Sequence, residues 1–394
     1  MKSSFRNGGA IAGMIALPAL VYYLWLSFSA AGGWVFISWG AAPGILVRQA
    51  VPNVGSIAVY GGWLLWQILL YVCLPGRTAA GQPLSDGSRL KYRLNGSLAF
   101  WITVPLAALA AWLAPRFVYD NLGRLLTMAS LVALLSSAYL FVRGRGRGAQ
   151  QFFAGVERNP RIGRFDLKFF CEGRPGLIGW AVIDIALAFR QGPPSTALLL
   201  VLACQLLYVA DYFWHEEAIL STYDIVHERF GFMLAWGDLV WVPFVYSLQV
   251  YFLASHPQQL PAWAVAAIAT LDLAGYALFR VANLQKHHFR SDPARPIWGK
   301  RPAFIRTTNG SLLLTSGLWG LARHMNYTGD LLMALAWSLP TLFVSPLTYV
   351  YPAFLVVLLV QRERRDHARC LAKYGEAWQA YCRQVRWRLV PGLY

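Results

Sequence analysis

Apolar residues recur in runs of about 20 along nearly the whole chain, and short polar segments separate them. A run of this length allows an α-helix to cross the hydrocarbon core of a bilayer. The pattern therefore predicts an all-α, polytopic integral membrane protein that forms a single membrane domain over residues 1–394. About ten transmembrane helices are expected, near residues 10–30, 54–74, 98–114, 124–142, 176–190, 196–213, 231–254, 261–281, 311–345 and 347–361.

The ninth apolar region differs from the others because a polar stretch from Arg323 to Asp330 interrupts it. The apolar segment before this stretch, Leu312 to Leu321, is too short to cross the membrane alone. We therefore predict a broken helix whose interruption lies part-way through the membrane. Irregular backbone at that depth is tolerated only where it lines protein or a water-filled cavity, so a polar pocket is expected there.

The segment from Arg362 to Val385 contains no proline and a single glycine, which predicts a C-terminal cytoplasmic amphipathic helix. Its polar groups would fall within an arc of about 120° on that helix. Such a face could bind a charged ligand, or its cations could hold anionic lipid headgroups. The residues on this arc are Arg362, Asp366, Cys370, Lys373, Tyr374 and Tyr381.

Composition supports the membrane assignment, since 57% of the residues are hydrophobic and only 13% are charged. The formal net charge of +17 does not indicate nucleic-acid binding, because the basic residues concentrate in loops that follow even-numbered predicted spans. By the positive-inside rule this distribution predicts that both termini are cytoplasmic. The five cysteines are scattered, and the acidic loop after the sixth span lacks the HExxH spacing, so we expect no disulfide and no metal site.

Several ordered motifs resemble those of the sterol reductase family, which comprises membrane enzymes that reduce carbon–carbon double bonds of sterols. The resemblance extends from Leu74 nearly to the end of the chain, and the sterol Δ14-reductases, including bacterial-type members, are the most similar subfamily. The motifs include Tyr92-Arg93-Leu94-Asn95-Gly96, Glu157-Arg158-Asn159-Pro160-Arg161-Ile162-Gly163, Gly237-Asp238-Leu239-Val240-Trp241-Val242-Pro243-Phe244, Arg323-His324 with Asn326-Tyr327, and Lys373-Tyr374-Gly375.

This resemblance implies a sterol substrate and NADPH as the cofactor, which would bind in residues 261–394, while residues 1–260 would form the scaffold and the sterol-facing helices. Among the basic residues, Lys286, Arg290, Arg323 and Lys373 suit phosphate groups, although they could also be positive-inside anchors. The cofactor residues that the resemblance implies are Lys286, Arg290, Leu314, Trp319, Asn326, Tyr327, Asp366, Cys370 to Tyr374, and Tyr381.

The chemistry of alkene reduction requires a proton donor, because hydride adds readily only to a developing carbocation. The two candidates are the Tyr246 phenol, which holds its proton at neutral pH, and a buried Asp366 carboxylic acid. Both residues also have simpler explanations. Tyr246 could be a packing residue, and Asp366 could pair with Arg362 or hydrogen-bond the cofactor.

Two other functions fit parts of the pattern. The C-terminal motifs are similar to those of membrane methyltransferases of the isoprenylcysteine carboxyl type, which use S-adenosylmethionine. Many spans with a broken helix also fit a non-enzymatic sterol-binding or transport protein. In each case the expected partners are membrane lipids and a lipid substrate, not nucleic acid. The host membrane would be the bacterial inner membrane or the endoplasmic reticulum, and the sequence leaves the oligomeric state open.

Overall fold

The computed structural model describes residues 2–84, 86–190 and 192–394, with side chains described from residue 7 onward. Helices dominate these ranges, and the named strands form three two-stranded antiparallel sheets. The predicted class, an all-α polytopic membrane protein, is confirmed, whereas the count of ten spans stays a prediction. Among the described residues, seven segments are long and apolar enough to cross a membrane: Asn7–Ala30, Val54–Cys73, Gly96–Leu113, Phe117–Arg143, Thr196–Trp214, Phe232–Ser255 and Ala262–Ser291.

The chain divides into two compact units, Met1–Gln259 and Leu260–Tyr394. We call them the N-terminal and the C-terminal unit. The roles that the sequence suggested for residues 1–260 and 261–394 stay predictions.

The N-terminal unit holds α1 (Lys2–Ala30), α2 (Ala42–Gln49), α3 (Val54–Cys73), β1 (Arg77–Pro83), β2 (Arg89–Leu94), α4 (Gly96–Leu113), α5 (Phe117–Arg143), α6 (Gly148–Ala154), β3 (Arg161–Ile162), β4 (Phe165–Asp166), α7 (Leu167–Cys171), α8 (Gly179–Ala188), α9 (Thr196–Trp214), α10 (Glu216–Ile219), α11 (Tyr223–His227), α12 (Phe232–Trp236) and α13 (Leu248–Ser255). Two π-helical segments, Glu172–Ile178 and Gly237–Val245, each contain a proline. Proline lacks the N–H that an α-helical ladder needs, which accounts for altered pairing there.

The C-terminal unit holds α14 (Ala262–Ser291), β5 (Phe304–Arg306), β6 (Leu312–Leu314), α15 (Met325–Ser338), α16 (Val350–Tyr374) and α17 (Glu376–Gln384), with short 3₁₀ turns at Gly317–Gly320, Leu339–Thr341 and Pro346–Tyr349. Helices α14 and α15 run antiparallel and approach closely at two glycines. A Cβ atom at Gly275 would lie 2.9 Å from the Gly329 carbonyl oxygen, and one at Gly329 would lie 2.6 Å from the Gly275 carbonyl oxygen. Glycine is therefore required at this crossing.

The interruption of the ninth apolar region begins earlier in the chain than predicted. Residues 311–324 contain β6 and a 3₁₀ turn instead of half a helix, and α15 starts only at Met325. Gly310 and Gly317, on either side of β6, have φ angles of 81° and 63°. These left-handed conformations exclude a continuous helix, and β6 instead pairs with β5.

The prediction of one helix from Arg362 to Val385 is wrong. Helix α16 ends at Tyr374 because Gly375 adopts a φ angle of 51°, and α17 then begins at Glu376. Tyr381 therefore does not share one helical face with Asp366 and Cys370. It belongs to an apolar cluster in which Trp378, Tyr381 and Val385 pack against the β5–β6 hairpin and against Cys370 and Tyr374 of α16.

Candidate functional site

Trp319 lies where three elements of the C-terminal unit meet, and contacts from two of them fix its position. Its indole N–H donates a 2.7 Å hydrogen bond to the Ala282 carbonyl of α14, and its own carbonyl accepts one of 3.4 Å from the Tyr381 hydroxyl of α17. The Lys286 Nζ atom lies 3.9 Å from the centre of the Trp319 ring. This cation–π contact holds a positive charge beside an immobilised aromatic plane. Leu314 packs in the same buried cluster as Trp319.

Asp366 of α16 lies among a cation, an imidazole and a thiol. Its Oδ1 atom accepts a 2.7 Å hydrogen bond from Arg369, and its Oδ2 atom lies 3.8 Å from His324 Nε2 and 3.8 Å from Cys370 Sγ. Burial raises the pKa of the Cys370 thiol to about 11, so the thiol is protonated at neutral pH and its S–H points at the carboxylate. The negative charge of Asp366 also acts on Lys286.

His324 contacts three of the predicted site residues, although the sequence analysis assigned it no role. Its ring stacks on Tyr327 at 4.8 Å and 10°, and its edge faces Trp319 at 6.5 Å. Its Nε2 atom lies 3.8 Å from the Asp366 carboxylate, so the imidazole lies between this carboxylate and the aromatic rings. The Arg323-His324 pair in the polar stretch was the signal that could have identified it.

Asn326 at the start of α15 has an unused acceptor. Its side-chain nitrogen donates a 3.3 Å hydrogen bond to Asn283 of α14, while its Oδ1 atom is buried without a hydrogen-bond partner in the described chain. A buried acceptor without a partner costs free energy, and a bound donor would remove that cost. This atom therefore indicates that the site is built to receive a ligand.

The remaining predicted residues lie at the margin of this cluster or outside it. Arg290 is exposed one helical turn after Lys286 and acts electrostatically on it. Lys373 is exposed near the end of α16, with its Nζ atom 5.0 Å from the centre of the Tyr374 ring. Tyr246 belongs to the N-terminal unit, where its ring meets the edge of Trp180 at 5.3 Å.

Arg323 is engaged with the C-terminal tail. Its guanidinium donates hydrogen bonds of 3.0 Å and 3.2 Å to the carbonyl oxygens of Val385 and Arg386, and its Nη1 atom lies 3.9 Å from Glu363. Glu363 is fully buried and also pairs with Arg388 at 2.9 Å. These contacts hold the tail against the turn that precedes α15, and the phosphate role of Arg323 stays a prediction.

The arrangement offers an anionic ligand two cations on α14, an aromatic plane, a carboxylate and an unused amide oxygen. Such a set suits a ligand that combines phosphate groups with a planar ring carrying hydrogen-bond donors. Within the described ranges, no group of three or more His, Cys, Asp or Glu side chains is placed to hold a metal ion.

Comparison with known proteins gives consistent matches over the whole chain. The model of the ergosterol biosynthesis ERG4/ERG24 family matches residues 8–394. The chain is 47% identical to the Delta(14)-sterol reductase of Methylotuvimicrobium alcaliphilum, over 97% of this chain and 93% of that protein. It is 42% identical to Delta(14)-sterol reductase TM7SF2 of Mus musculus, over 98% of this chain and 96% of that protein. It is 38% identical to the Delta(14)-sterol reductase of Dictyostelium discoideum, over 96% and 88%.

Proposed function

Because the chain belongs to the ergosterol biosynthesis ERG4/ERG24 family, we propose that it is an NADPH-dependent reductase of a sterol ring double bond, an oxidoreductase acting on CH–CH bonds in sterol biosynthesis. The observation that carries this proposal is the 47% identity to a Delta(14)-sterol reductase over 97% of the chain. The Δ14 bond is therefore the proposed target.

The C-terminal unit has the groups that NADPH requires, and the cofactor when bound would supply hydride. Lys286 and Arg290, one turn apart on α14, would bind its phosphates. The buried Asn326 oxygen would accept a hydrogen bond from a carboxamide or a ribose hydroxyl. The Trp319 and Tyr327 rings would pack against its planar groups, and Leu314, Cys370, Lys373, Tyr374 and Tyr381 would complete the surroundings.

The proton that the alkene needs has two candidate donors, Tyr246 and Asp366. Protonation at C15 would place the positive charge on tertiary C14, where hydride is then accepted. Asp366 pairs with Arg369 at 2.7 Å, as an ionised carboxylate does, which favours a hydrogen-bond-accepting role toward the cofactor. A phenol holds its proton at neutral pH, so we propose Tyr246 as the donor.

The proposed partners, a sterol and the membrane lipids, follow from the same assignment. The distribution of basic residues among the loops supports the proposal that both termini face the cytoplasm. The host membrane is the bacterial inner membrane in a prokaryote and the endoplasmic reticulum in a eukaryote.

The decisive experiment incubates the purified, detergent-solubilised protein with NADPH deuterated at the transferable C4 position and with a panel of Δ14, Δ7 and Δ24(28) sterols. Mass analysis of the products should show that the Δ14 sterol has gained one deuterium from the cofactor and one hydrogen from the solvent. Absence of NADPH oxidation with every sterol would overturn the proposal. Methyl transfer from S-adenosylmethionine, tested in parallel, would support the methyltransferase alternative. Sterol binding without turnover would instead indicate a transport or scaffold protein.

A further inference from the structure

A groove runs along α14 beside the buried cluster that Phe289 forms with Leu314 and Trp319. It holds about 220 Å³ of free space and is open to solvent. At about 100° per residue, positions 281, 284 and 288 lie roughly 120° or more around α14 from both Lys286 and Arg290, and position 285 lies about 100° from Lys286. The groove is lined by Val281, Leu284, Gln285, His288, Phe289, Arg295, Pro296, Ile297 and Trp298.

Gln285 supplies a buried donor to this groove. Its Oε1 atom accepts a 2.9 Å hydrogen bond from the Leu318 N–H, which fixes the orientation of the amide. The residue is only 8% exposed, and its Nε2 atom is buried without a hydrogen-bond partner among the described residues. A ligand with an acceptor oxygen would satisfy this nitrogen.

The loop after α14 holds a tryptophan at the rim of the groove in an unfavourable backbone conformation. Ile297 and Lys300 pair through hydrogen bonds of 2.9 Å and 3.1 Å around a two-residue turn. Both turn residues have positive φ angles, 51° for Trp298 and 75° for Gly299. Asn or Gly is the usual first residue of such a turn, so a tryptophan there is strained. The residue is nevertheless 66% exposed, so its side chain is accessible to a partner outside the protein.

The lining of the groove changes from apolar at Val281 and Leu284 to polar at His288 and Arg295, which is the order found from the hydrocarbon core of a membrane to its headgroups. Val281 ends the apolar run of residues 261–281, and Val281 and Leu284 are each 38% exposed on the flank of the helix. His288 follows about 10 Å further along the helix axis, close to the charge of Arg295. A headgroup layer is roughly 5–8 Å thick on each side of the hydrocarbon core, so the groove extends from acyl chains to headgroups.

We propose that this groove is a binding site for an anionic phospholipid. Its phosphate would contact Arg295 and the Gln285 amide, its acyl chain would lie on Val281 and Leu284, and the Trp298 ring would cover the glycerol region. Tryptophan prefers this interfacial depth, and basic pockets beside membrane helices hold anionic headgroups. The site needs no cofactor or sterol, so it stands independently of the proposed reductase activity.

The test measures tryptophan quenching in the full-length, detergent-solubilised protein as brominated phosphatidylglycerol is added. The part of the quenching that Trp298→Phe removes reports the groove alone. We expect this part to saturate with phosphatidylglycerol and to be much weaker with brominated phosphatidylcholine. Arg295→Ala should weaken the affinity roughly fivefold, because one basic residue near an anionic headgroup contributes about 1 kcal/mol.

Two further variants keep the result interpretable. Gln285→Glu retains the acceptor for Leu318 but replaces the free donor with a negative charge, so it should also weaken binding. Lys300→Ala, in the same turn but outside the groove lining, should leave it unchanged. Equal quenching by both lipids, or the same affinity in Arg295→Ala and Lys300→Ala, would overturn the proposal. Full competition by inorganic phosphate without displacement by phosphatidylglycerol would show a free-phosphate site instead.

Discussion

Glu363 provides the sharpest test of how the C-terminal tail is held. Its carboxylate is fully buried, 2.9 Å from Arg388 and 3.9 Å from Arg323, while Arg323 also holds the tail carbonyls of Val385 and Arg386. Replacing Glu363 with Leu removes the carboxylate that faces both guanidiniums. Breaking a buried ion pair on one side costs about 3–5 kcal/mol, because the remaining charge stays desolvated.

The lower end of that range applies here, since the Arg388 side chain is 34% exposed and water can solvate it. We therefore expect Glu363→Leu to destabilise the protein by about 3 kcal/mol, which corresponds to a melting temperature lower by roughly 4 °C in a chain of 394 residues. The assay is thermal unfolding in detergent, with limited proteolysis to report release of the tail. Glu363→Gln, which retains the shape, is the matched control and should lose less.

A double-mutant cycle then separates the pair from general damage. If Glu363 and Arg388 interact as described, combining Glu363→Leu with Arg388→Leu should cost less than the sum of the two single changes, by about 1–3 kcal/mol. Additivity within about 0.5 kcal/mol would refute the reasoning, because residues without mutual interaction behave in that way.

Other predictions concern the site itself. Lys286→Ala should raise the KM for NADPH about tenfold or more through loss of a charged hydrogen bond, with the sterol KM unchanged; equal effects on both would contradict its phosphate role. Tyr246→Phe should abolish turnover in a protein that still inserts and binds NADPH, and wild-type rates would remove it as the donor. Asp366→Asn should also abolish turnover, but with weaker NADPH binding; unchanged kinetics would exclude it from the site.

The sequence was most informative where one physical effect dominates. Long apolar runs located helices such as α3, α4 and α9 to within a few residues, because crossing the hydrocarbon core requires a fixed helical length. The sequence was less informative where a single backbone angle decides. Gly375 was compatible with a continuous helix by composition, and only its φ angle of 51° separates α16 from α17.

The candidate site shows the same division. The charge pattern and the family resemblance both pointed to Lys286 and Asp366, which do lie near each other in the C-terminal unit. The sequence predicted a phosphate role for Arg323 and did not indicate its contacts with the tail. A guanidinium can donate hydrogen bonds to phosphate and to backbone carbonyls equally well. His324 was overlooked because its importance comes from stacking on Tyr327, a contact that residue type alone does not indicate.

The close crossing of α14 and α15 has a consequence for how the site could be tuned. Gly275 lies eleven residues before Lys286, about 16 Å along α14, while Gly329 lies within one turn of Asn326 on α15. Even a single methyl group at either glycine would force the two helix axes apart, and Lys286 and Asn326 would separate with them. The two glycines thus set the distance between Lys286 and Asn326, which would bind different parts of the same nucleotide. A substitution at the helix crossing would therefore change the affinity for the cofactor without altering any residue that contacts it.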